Sequence, residues 1–406
     1  MLDPTTIVGV VGAGAMGRGI AQVAATAGHT VLLADARPGA ASDARATISG
    51  ALAGLVSKGK LDASARDAIL DRIIAVVSSA AERGTREPPT TLVDVGALAR
   101  CGLIIEAIVE DLPAKRELFS RLAATVADDA VLATNTSSLS VAAIAAGSPA
   151  SARVIGLHFF NPPPLMPLVE VVPWAGTNPE VRDACLALMG KWKKTAVVCS
   201  DTPGFIVNRV ARPFYGEALR IAEEGTADYA TIDWAMRTIG GFRMGPFELM
   251  DFIGNDVNFA VTRSIYEGFF LEPRYRPSLT QQALVASGFL GRKSGRGYYD
   301  YRDGAATPEA RRDEAAGAAI VARIRAMLIN EAVDALRLGV ASAADIDTAM
   351  VSGVNYPKGL LAWCDELGAG AVLATIERLH AEYGEERYRP SPLLRQAARD
   401  KRSFRS

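Results

Sequence analysis

Histidine is nearly missing from this sequence: 406 residues carry three, His29, His158 and His380. Cysteine is almost as scarce, with Cys101, Cys185, Cys199 and Cys364 scattered and no C-x-x-C pair among them. That spacing argues against a disulfide framework. With no histidine at ligand spacing it argues against zinc too, so no metal is expected and a reducing compartment is the simpler reading. Charge of one sign is also lacking. The 44 basic residues face 45 acidic ones, a formal net charge of −1, and nucleic acid or a membrane surface as partner calls for a basic excess. No apolar run approaches the ~20 residues that span a bilayer. The apolar stretch Ile7–Val11 has no basic region before it and runs straight into glycines, so it reads as a buried strand and not a signal core. A soluble, cytoplasmic protein is the expectation.

What is present reads first as an α/β domain. TIVGVV is a short apolar run of the kind found in parallel strands buried on both faces. Glycines Gly12–Gly19 then open an Ala- and Ile-rich helix, and HTVLLAD is a second β-rich run, which completes one βαβ unit. Helical text continues to about Ser79, broken at Gly59, and the polar RGTREPPTT (83–91) reads as a surface loop. Further strands are predicted at Leu103–Ala107, Val131–Thr134, Val154–Phe159 and Leu168–Val172. The first three are separated by helical segments, as in a doubly wound sheet. The last two are joined only by NPPPLMP, and prolines cannot donate to a ladder, so that stretch is a loop between adjacent strands.

Beyond Asp201 the character changes to helical text with no convincing strand, closed by the Gly- and Arg-rich GRKSGRGYYDY (291–301). The end of the chain then repeats the middle. Glu217-Ala218 and Ile232-Asp233 return as Glu331-Ala332 and Ile346-Asp347 at an offset of 114, and Tyr275-Arg276-Pro277-Ser278 returns as Tyr388-Arg389-Pro390-Ser391 at 113. Three pieces in one register point to a duplicated helical domain. The predicted architecture is a Rossmann-type dinucleotide-binding domain (1–201), a first helical copy (202–303), a linker (304–315) and a second copy (316–406).

Gly12-Ala13-Gly14-Ala15-Met16-Gly17 fits G-x-G-x-x-G, a weak signal alone but here set between a strand and a helix, where it belongs. Gly12 permits the tight turn, Gly14 lets backbone approach a pyrophosphate, and Gly17 allows close helix–strand packing, while the helix N-terminus offers N–H groups and a positive dipole. Asp35 ends the second strand about twenty residues on, where a carboxylate binds a ribose 2′-hydroxyl and repels a 2′-phosphate. NAD is therefore favoured over NADP, although the neighbouring Arg37 is of a kind that accepts a phosphate.

Among the histidines, His29 reads as a cap or turn residue and His380 as surface. His158 ends a strand on the side that faces the cofactor crevice of an open α/β sheet. Glu170, twelve residues on in the next strand, is placed to orient it. For an isolated His–Glu pair a structural hydrogen bond is the usual reading; beside a dinucleotide site, a base for alcohol oxidation is the stronger one.

The motifs GAGAMGRGIAQ, EAIVED, NTSSLS, GLHFFNPPPLMPLVEVV, DTPGFIVNR, MGPFELMD and GRKSGRGYYDY together resemble the L-3-hydroxyacyl-CoA dehydrogenase family, nearly continuously from residue 5 to residue 301. The second helical copy resembles that family's C-terminal domain again. The resemblance implies His158 as base and Glu170 as its orienting acid, with Ser137 and Asn208 holding the substrate's 3-oxygen and the imidazole network. Without it, NTSSL reads as a turn and Asn208 as a helix cap. It further implies that Glu110, Lys115 and Lys293 line the nicotinamide and ribose side of the NAD site, and that Lys58 or Lys60 lies near the phosphates of an acyl-CoA substrate. Taken alone, either lysine is a solvated charge. Asn161 is a candidate substrate contact or a structural turn.

Two departures stand out. Pro167 occupies a position where relatives commonly carry lysine, and Ala322 stands in the second copy where Asn208 stands in the first, so one active site is expected and not two. The second copy is expected to replace the C-terminal domain of a partner subunit, giving a monomer with an internal pseudo-dimer, with a homodimer as the alternative. Competing readings are a same-fold dehydrogenase acting on a carnitine or sugar-acid alcohol, and a non-catalytic NAD-binding relative. A hydratase activity is not expected, with no extra domain ahead of the dinucleotide fold.

Overall fold

The computed structural model describes residues 2–76, 93–306 and 308–405 and divides into two compact units, Met1–Asp201 and Thr202–Ser406. The first unit is built on eight strands: β1 (Val8–Val11), β2 (Val31–Ala34), β3 (Ile73–Ala75), β4 (Leu103–Glu106), β5 (Val131–Thr134), β6 (Val154–Phe159), β7 (Leu168–Val172) and β8 (Thr195–Val198). Their order in the sheet is β3-β2-β1-β4-β5-β6-β7-β8. Every neighbouring pair is parallel except β6 and β7. Strands β1, β2, β4, β5, β6 and β7 are buried at every residue, which is why the sequence shows continuous apolar runs rather than alternation. The order reverses between β1 and β4, and the crevice at that switch point is where open α/β sheets take their ligands.

Two strands depart from the sequence reading. Ile73–Ala75 is β3 rather than the continuation of helical text, because the Ala63–Asp71 helix stops at Arg72 and two β-branched isoleucines follow. Thr195–Val198 is β8, parallel to β7; its four residues carry no local signal apart from β-branching. The loop predicted at residues 83–91 lies outside the described residues. His29 is buried, its Nδ1 2.9 Å from the Thr6 carbonyl oxygen, and His380 is half-buried in the last turn of the Ala369–Tyr383 helix.

The second unit is helical. Its longest helix, Glu314–Arg337, buries fifteen of its 24 residues and packs along Arg212–Glu223. Between them lies a reciprocal set of buried charges. Glu331 accepts from Arg209 Nε at 2.7 Å, Arg274 Nη1 at 3.1 Å and the Tyr275 hydroxyl at 2.6 Å. Glu217 accepts from Arg323 Nε at 3.0 Å, Arg220 Nη1 at 2.5 Å and the Tyr388 hydroxyl at 3.1 Å. Arg209 and Arg323, like the two glutamates, are 114 positions apart, so each segment sends its arginine to the other's glutamate. Burial alone would raise both carboxyls; the arginines outweigh it and hold them below the usual range.

Other local devices recur at the same spacing. Asp233 accepts from the N–H groups of Phe247 and Glu248, and Asp347 from those of Leu361 and Ala362. A Cβ on Gly245 or on Gly359 would come within 2.3 Å of the facing aspartate. Asp251 gathers the GRKSGRGYYDY segment by accepting from Tyr298 N, Tyr299 N and the Tyr301 hydroxyl, and Asp365 takes Ser403 Oγ and Phe404 N. No helix among the described residues is long and apolar enough to cross a membrane.

Replacing Glu331 with Gln leaves Arg209 and Arg274 with Asp334 as their acid partner, at 3.7 and 3.4 Å. Loss of a buried charge partner costs about 3 kcal/mol or more, so urea denaturation of E331Q should show a clear fall in stability. Glu377→Gln, which removes the exposed pair with Arg395, should stay within about 1 kcal/mol of the parent.

Candidate active site

The turn after β1 is shaped by its glycines. Gly12 has φ +103°, and a Cβ there would lie 2.4 Å from the Ala107 carbonyl oxygen. A Cβ on Gly17 would lie 1.7 Å from the Gly12 carbonyl oxygen, so the first turn of the Ala15–Thr26 helix rests directly on the backbone that precedes it. Gly14 is different: nothing lies within 4 Å of its Cβ position. The three roles read from the motif therefore have three geometries, two closed and one open. Gly14 is the N-cap of the Ala15–Thr26 helix, and Ala15 and Met16 begin its first turn, whose N–H groups suit a pyrophosphate.

Asp35 follows β2. Its Oδ2 accepts from Ala13 N at 2.7 Å and its Oδ1 from Arg37 N at 2.8 Å, so the carboxylate braces the glycine turn while each oxygen keeps a further lone pair for a hydroxyl. A cavity of about 670 Å³ runs from Gly12, Gly14 and Asp35 to Ala107, Ile108 and Val109. An open glycine at a helix N-terminus, an acid at the end of β2 and an apolar slot between them fit a dinucleotide of the NAD type.

The next crossing is organised by three charged side chains. Glu106, fully buried at the end of β4, accepts from Lys115 Nζ at 2.6 Å, Thr134 Oγ1 at 2.7 Å and Ile108 N at 2.7 Å. Lys115, expected along the cofactor, is 1% exposed and lies between Glu106 and Glu110. Glu110 Oε1 in turn takes Thr136 Oγ1 at 2.6 Å, Ser138 Oγ at 2.8 Å, Ser137 N at 3.1 Å and Ser138 N at 3.2 Å. Burial by itself would raise the Glu110 carboxyl, but the Lys115 ammonium and these hydrogen bonds hold it below the ordinary carboxylate range. The loop after β5 is thus wrapped around one ionised oxygen, with Ser137 on it. Its far end is tied by Asp201, which accepts from Ser140 Oγ, Val141 N and Ala142 N.

His158 and Glu170 are direct cross-strand partners in the antiparallel β6–β7 pair. Nδ1 of His158 lies 2.6 Å from Oε2 of Glu170, and both side chains are buried. An ionised carboxylate there places the ring proton on Nδ1 and the lone pair on Nε2. Asn135 Oδ1 accepts from Phe159 N at 2.8 Å, so the Ser137 loop is fastened to the strand that carries His158. The intervening loop begins at the exposed Asn161, whose bond to Pro162 is cis, and includes the exposed Pro167. Lys194 Nζ donates to the carbonyls of Pro163 and Met166 at 2.5 and 2.8 Å. A Cβ on Gly19 would come within 2.7 Å of Pro163, so this loop packs on the helix that begins at the nucleotide turn.

The structure gathers Gly12, Gly14, Gly17, Asp35, Glu110, Lys115, Ser137, His158 and Asn161 on the side of the first unit where β1, β2, β4, β5 and β6 end, and Glu170 joins them from the antiparallel β7. Lys58 and Lys60 stand exposed in the turn after the Ala40–Ser57 helix. Asn208 and Lys293 belong to the second unit. There the Asn208 carbonyl accepts from Arg212 Nε, and Lys293 Nζ lies 2.6 Å from Asp256 Oδ1. Sequence reasoning missed Glu106, Asn135, Lys194 and Asp201 as organisers. Glu106, Asn135 and Asp201 begin the EAIVED, NTSSLS and DTPGF motifs, and an acid or amide at the end of a buried strand is the signal that marks them.

The glycine geometry separates two variants. Gly17→Ala should lower thermal stability and NADH binding together, because the helix must move off Gly12. Gly14→Ala should fold normally yet weaken NADH by about tenfold, since the added methyl occupies space meant for the ligand. Fluorescence titration of NADH beside a thermal melt separates the two effects.

Comparison with known proteins agrees with this geometry. The NAD binding domain of 3-hydroxyacyl-CoA dehydrogenase matches residues 7–202, and the C-terminal domain of the same family matches residues 204–301 and 320–405. The chain is 41% identical to a 3-hydroxyadipyl-CoA dehydrogenase of Escherichia coli K12, with 98% of each chain covered. It is 39% identical to a 3-hydroxybutyryl-CoA dehydrogenase of Bradyrhizobium diazoefficiens over 74% of this chain and 97% of that one. A crystal structure described as 3-hydroxybutyryl-CoA dehydrogenase from Escherichia coli K12 superposes with a TM-score of 0.88 at 40% identity, covering 98% of both chains. With its first unit matched by the family's NAD binding domain and its helical second unit by the family's C-terminal domain, this chain belongs to the 3-hydroxyacyl-CoA dehydrogenase family.

Proposed function

We propose that the protein oxidises (S)-3-hydroxyacyl-CoA to 3-oxoacyl-CoA with NAD, and that His158 is the base. The observation that carries this is the buried 2.6 Å contact between His158 and Glu170 at the strand ends beside the dinucleotide turn. Nε2 of His158 takes the proton of the substrate's 3-hydroxyl, and the imidazolium that forms is stabilised by the Glu170 carboxylate. Bound NAD supplies the hydride acceptor. Ser137, on the loop that Glu110 wraps, is assigned to the 3-oxygen, and Asn161 to a contact with the acyl part. Lys58 and Lys60 are assigned to the CoA phosphates, an exposed position that suits a solvated anion. Asn208 and Lys293 enter on the family motifs alone.

Rates of NADH oxidation across 3-oxoacyl-CoA substrates of graded length and terminal charge test the substrate class and separate a butyryl-like from an adipyl-like preference. His158→Gln should lower kcat by a factor on the order of 10³ with NADH affinity unchanged. Full turnover by H158Q overturns the mechanism.

We further propose that residues 316–406 are a second copy of the helical domain that stands where a partner subunit's domain would. The twofold match to one C-terminal domain, the reciprocal Arg209–Glu331 and Arg323–Glu217 pairs and the matched Asp233 and Asp347 turns support it. Ala322 at the Asn208 position limits the chain to one site. Deleting residues 310–406 would strip the acid partner from Arg209 and bare the apolar face of the Arg212–Glu223 helix. The truncated chain should dimerise or precipitate in analytical ultracentrifugation; a monomeric, fully active product would refute the proposal.

A further inference from the structure

The two matched helical segments differ at one place in a way that opens a cavity. Beneath Tyr275-Arg276-Pro277-Ser278, against the Arg212–Glu223 helix, lies a cleft of about 410 Å³. Gly216 lines it, and a Cβ there would meet only the Arg220 side chain, at 3.5 Å or more. The matching space beneath Tyr388-Arg389-Pro390-Ser391 is filled. Asn330, 114 positions after Gly216 and fully buried, donates to the Arg389 carbonyl at 3.1 Å and accepts from Ser391 N at 2.8 Å. Asp334, 114 positions after Arg220, accepts from Ser391 Oγ at 3.1 Å. One segment plugs the space with an amide and a carboxylate, while the other leaves it empty and gives it a guanidinium.

The charges around the open cleft do not balance. Arg212 is 7% exposed, yet its Nε donates to the Asn208 carbonyl at 2.7 Å and its Nη1 to Thr262 Oγ1 at 3.0 Å, both neutral partners. Its guanidinium also lies 4.9 Å from the centre of the Tyr215 ring. No carboxylate pairs with it among the described residues, and the same holds for Arg276 at the exposed rim. The other arginines of the lining are answered: Arg220 by Glu217, Arg274 by Glu331, Arg387 by Glu385. The acid on the lining, Glu223, takes the Ser278 hydroxyl at 2.5 Å. A buried guanidinium without a counter-charge is unfavourable, and its planar fork of donors matches a phosphate. From this geometry we infer that the Gly216 cleft binds a small phosphate-class anion, held by Arg212 and Arg276. The ligand is a free phosphate or pyrophosphate, or the phosphate monoester of a larger molecule.

Calorimetric titration of the full chain with inorganic pyrophosphate, at constant ionic strength and with NADH saturating the glycine turn, tests this. One saturable site per chain is expected. Gly216→Asn, which copies the plug of the second segment, should weaken it by about tenfold or more, with thermal midpoint and dehydrogenase rate unchanged. Arg276→Gln, an exposed change that leaves the fold alone, should weaken it severalfold and decides the matter if G216N does not fold. Coenzyme A that displaces pyrophosphate from the parent protein assigns the site to a phosphate monoester, and failure to compete assigns it to the free anion. The absence of saturable binding, or equal affinity in the parent and in R276Q and G216N, overturns the inference.

Discussion

The reversal of strand direction between β6 and β7 makes the chemistry available. In an all-parallel sheet, neighbouring strands are joined by crossovers of a dozen residues or more, and a side chain at one strand end has no short covalent route to its neighbour. Here β7 turns back on β6, so the register that pairs Phe159 with Val169 necessarily sets His158 against Glu170. Burial then strengthens the contact, since neither side chain has water to compete for it. The rest of the neighbourhood serves that hairpin. Lys194 holds the carbonyls of its proline loop, Gly19 lets the loop rest on the helix of the nucleotide turn, and Asn135 fastens the neighbouring loop to Phe159.

Acids that gather several donors do most of the remaining organising, in both units. Glu106 and Glu110 share Lys115 and between them fix the ends of β4 and β5. Asp201, Asp233, Asp251 and Asp347 each accept from two backbone N–H groups or more. A carboxyl group that satisfies several donors fixes a loop without a hydrophobic core of its own. The requirement is complete pairing, because a half-satisfied buried acid is worse than none.

Much of this was legible. Strands β5, β6 and β7 fall on the bounds read from the sequence, because each is an apolar run cut off by polar, glycine or proline text. The pairing of His158 with Glu170 followed from reading two adjacent strands joined by a short proline loop. What escaped was non-local. Strand β8 is four residues whose only assurance is its neighbour β7, and β3 is three residues that a helix-rich context masks. The resemblance puts Lys115 along the cofactor and says nothing of its burial, which depends on Glu106, nine positions away across a turn. The offset of 114 was visible in the sequence, but not that its arginines cross to the opposite glutamates, because spacing says nothing about which partner a side chain meets.

The crossed arginines have a consequence for how the molecule responds to concentration. Between separate subunits, such a contact obeys mass action and weakens on dilution. Within one chain both halves are always present, so the melting of this contact is unimolecular. Under the proposed duplication, joining the halves also frees them from sameness. In an assembly of identical subunits, every substitution appears on both sides of the axis at once. Here Gly216 could stay open while Asn330 closed its counterpart, an asymmetry that no symmetric dimer can hold.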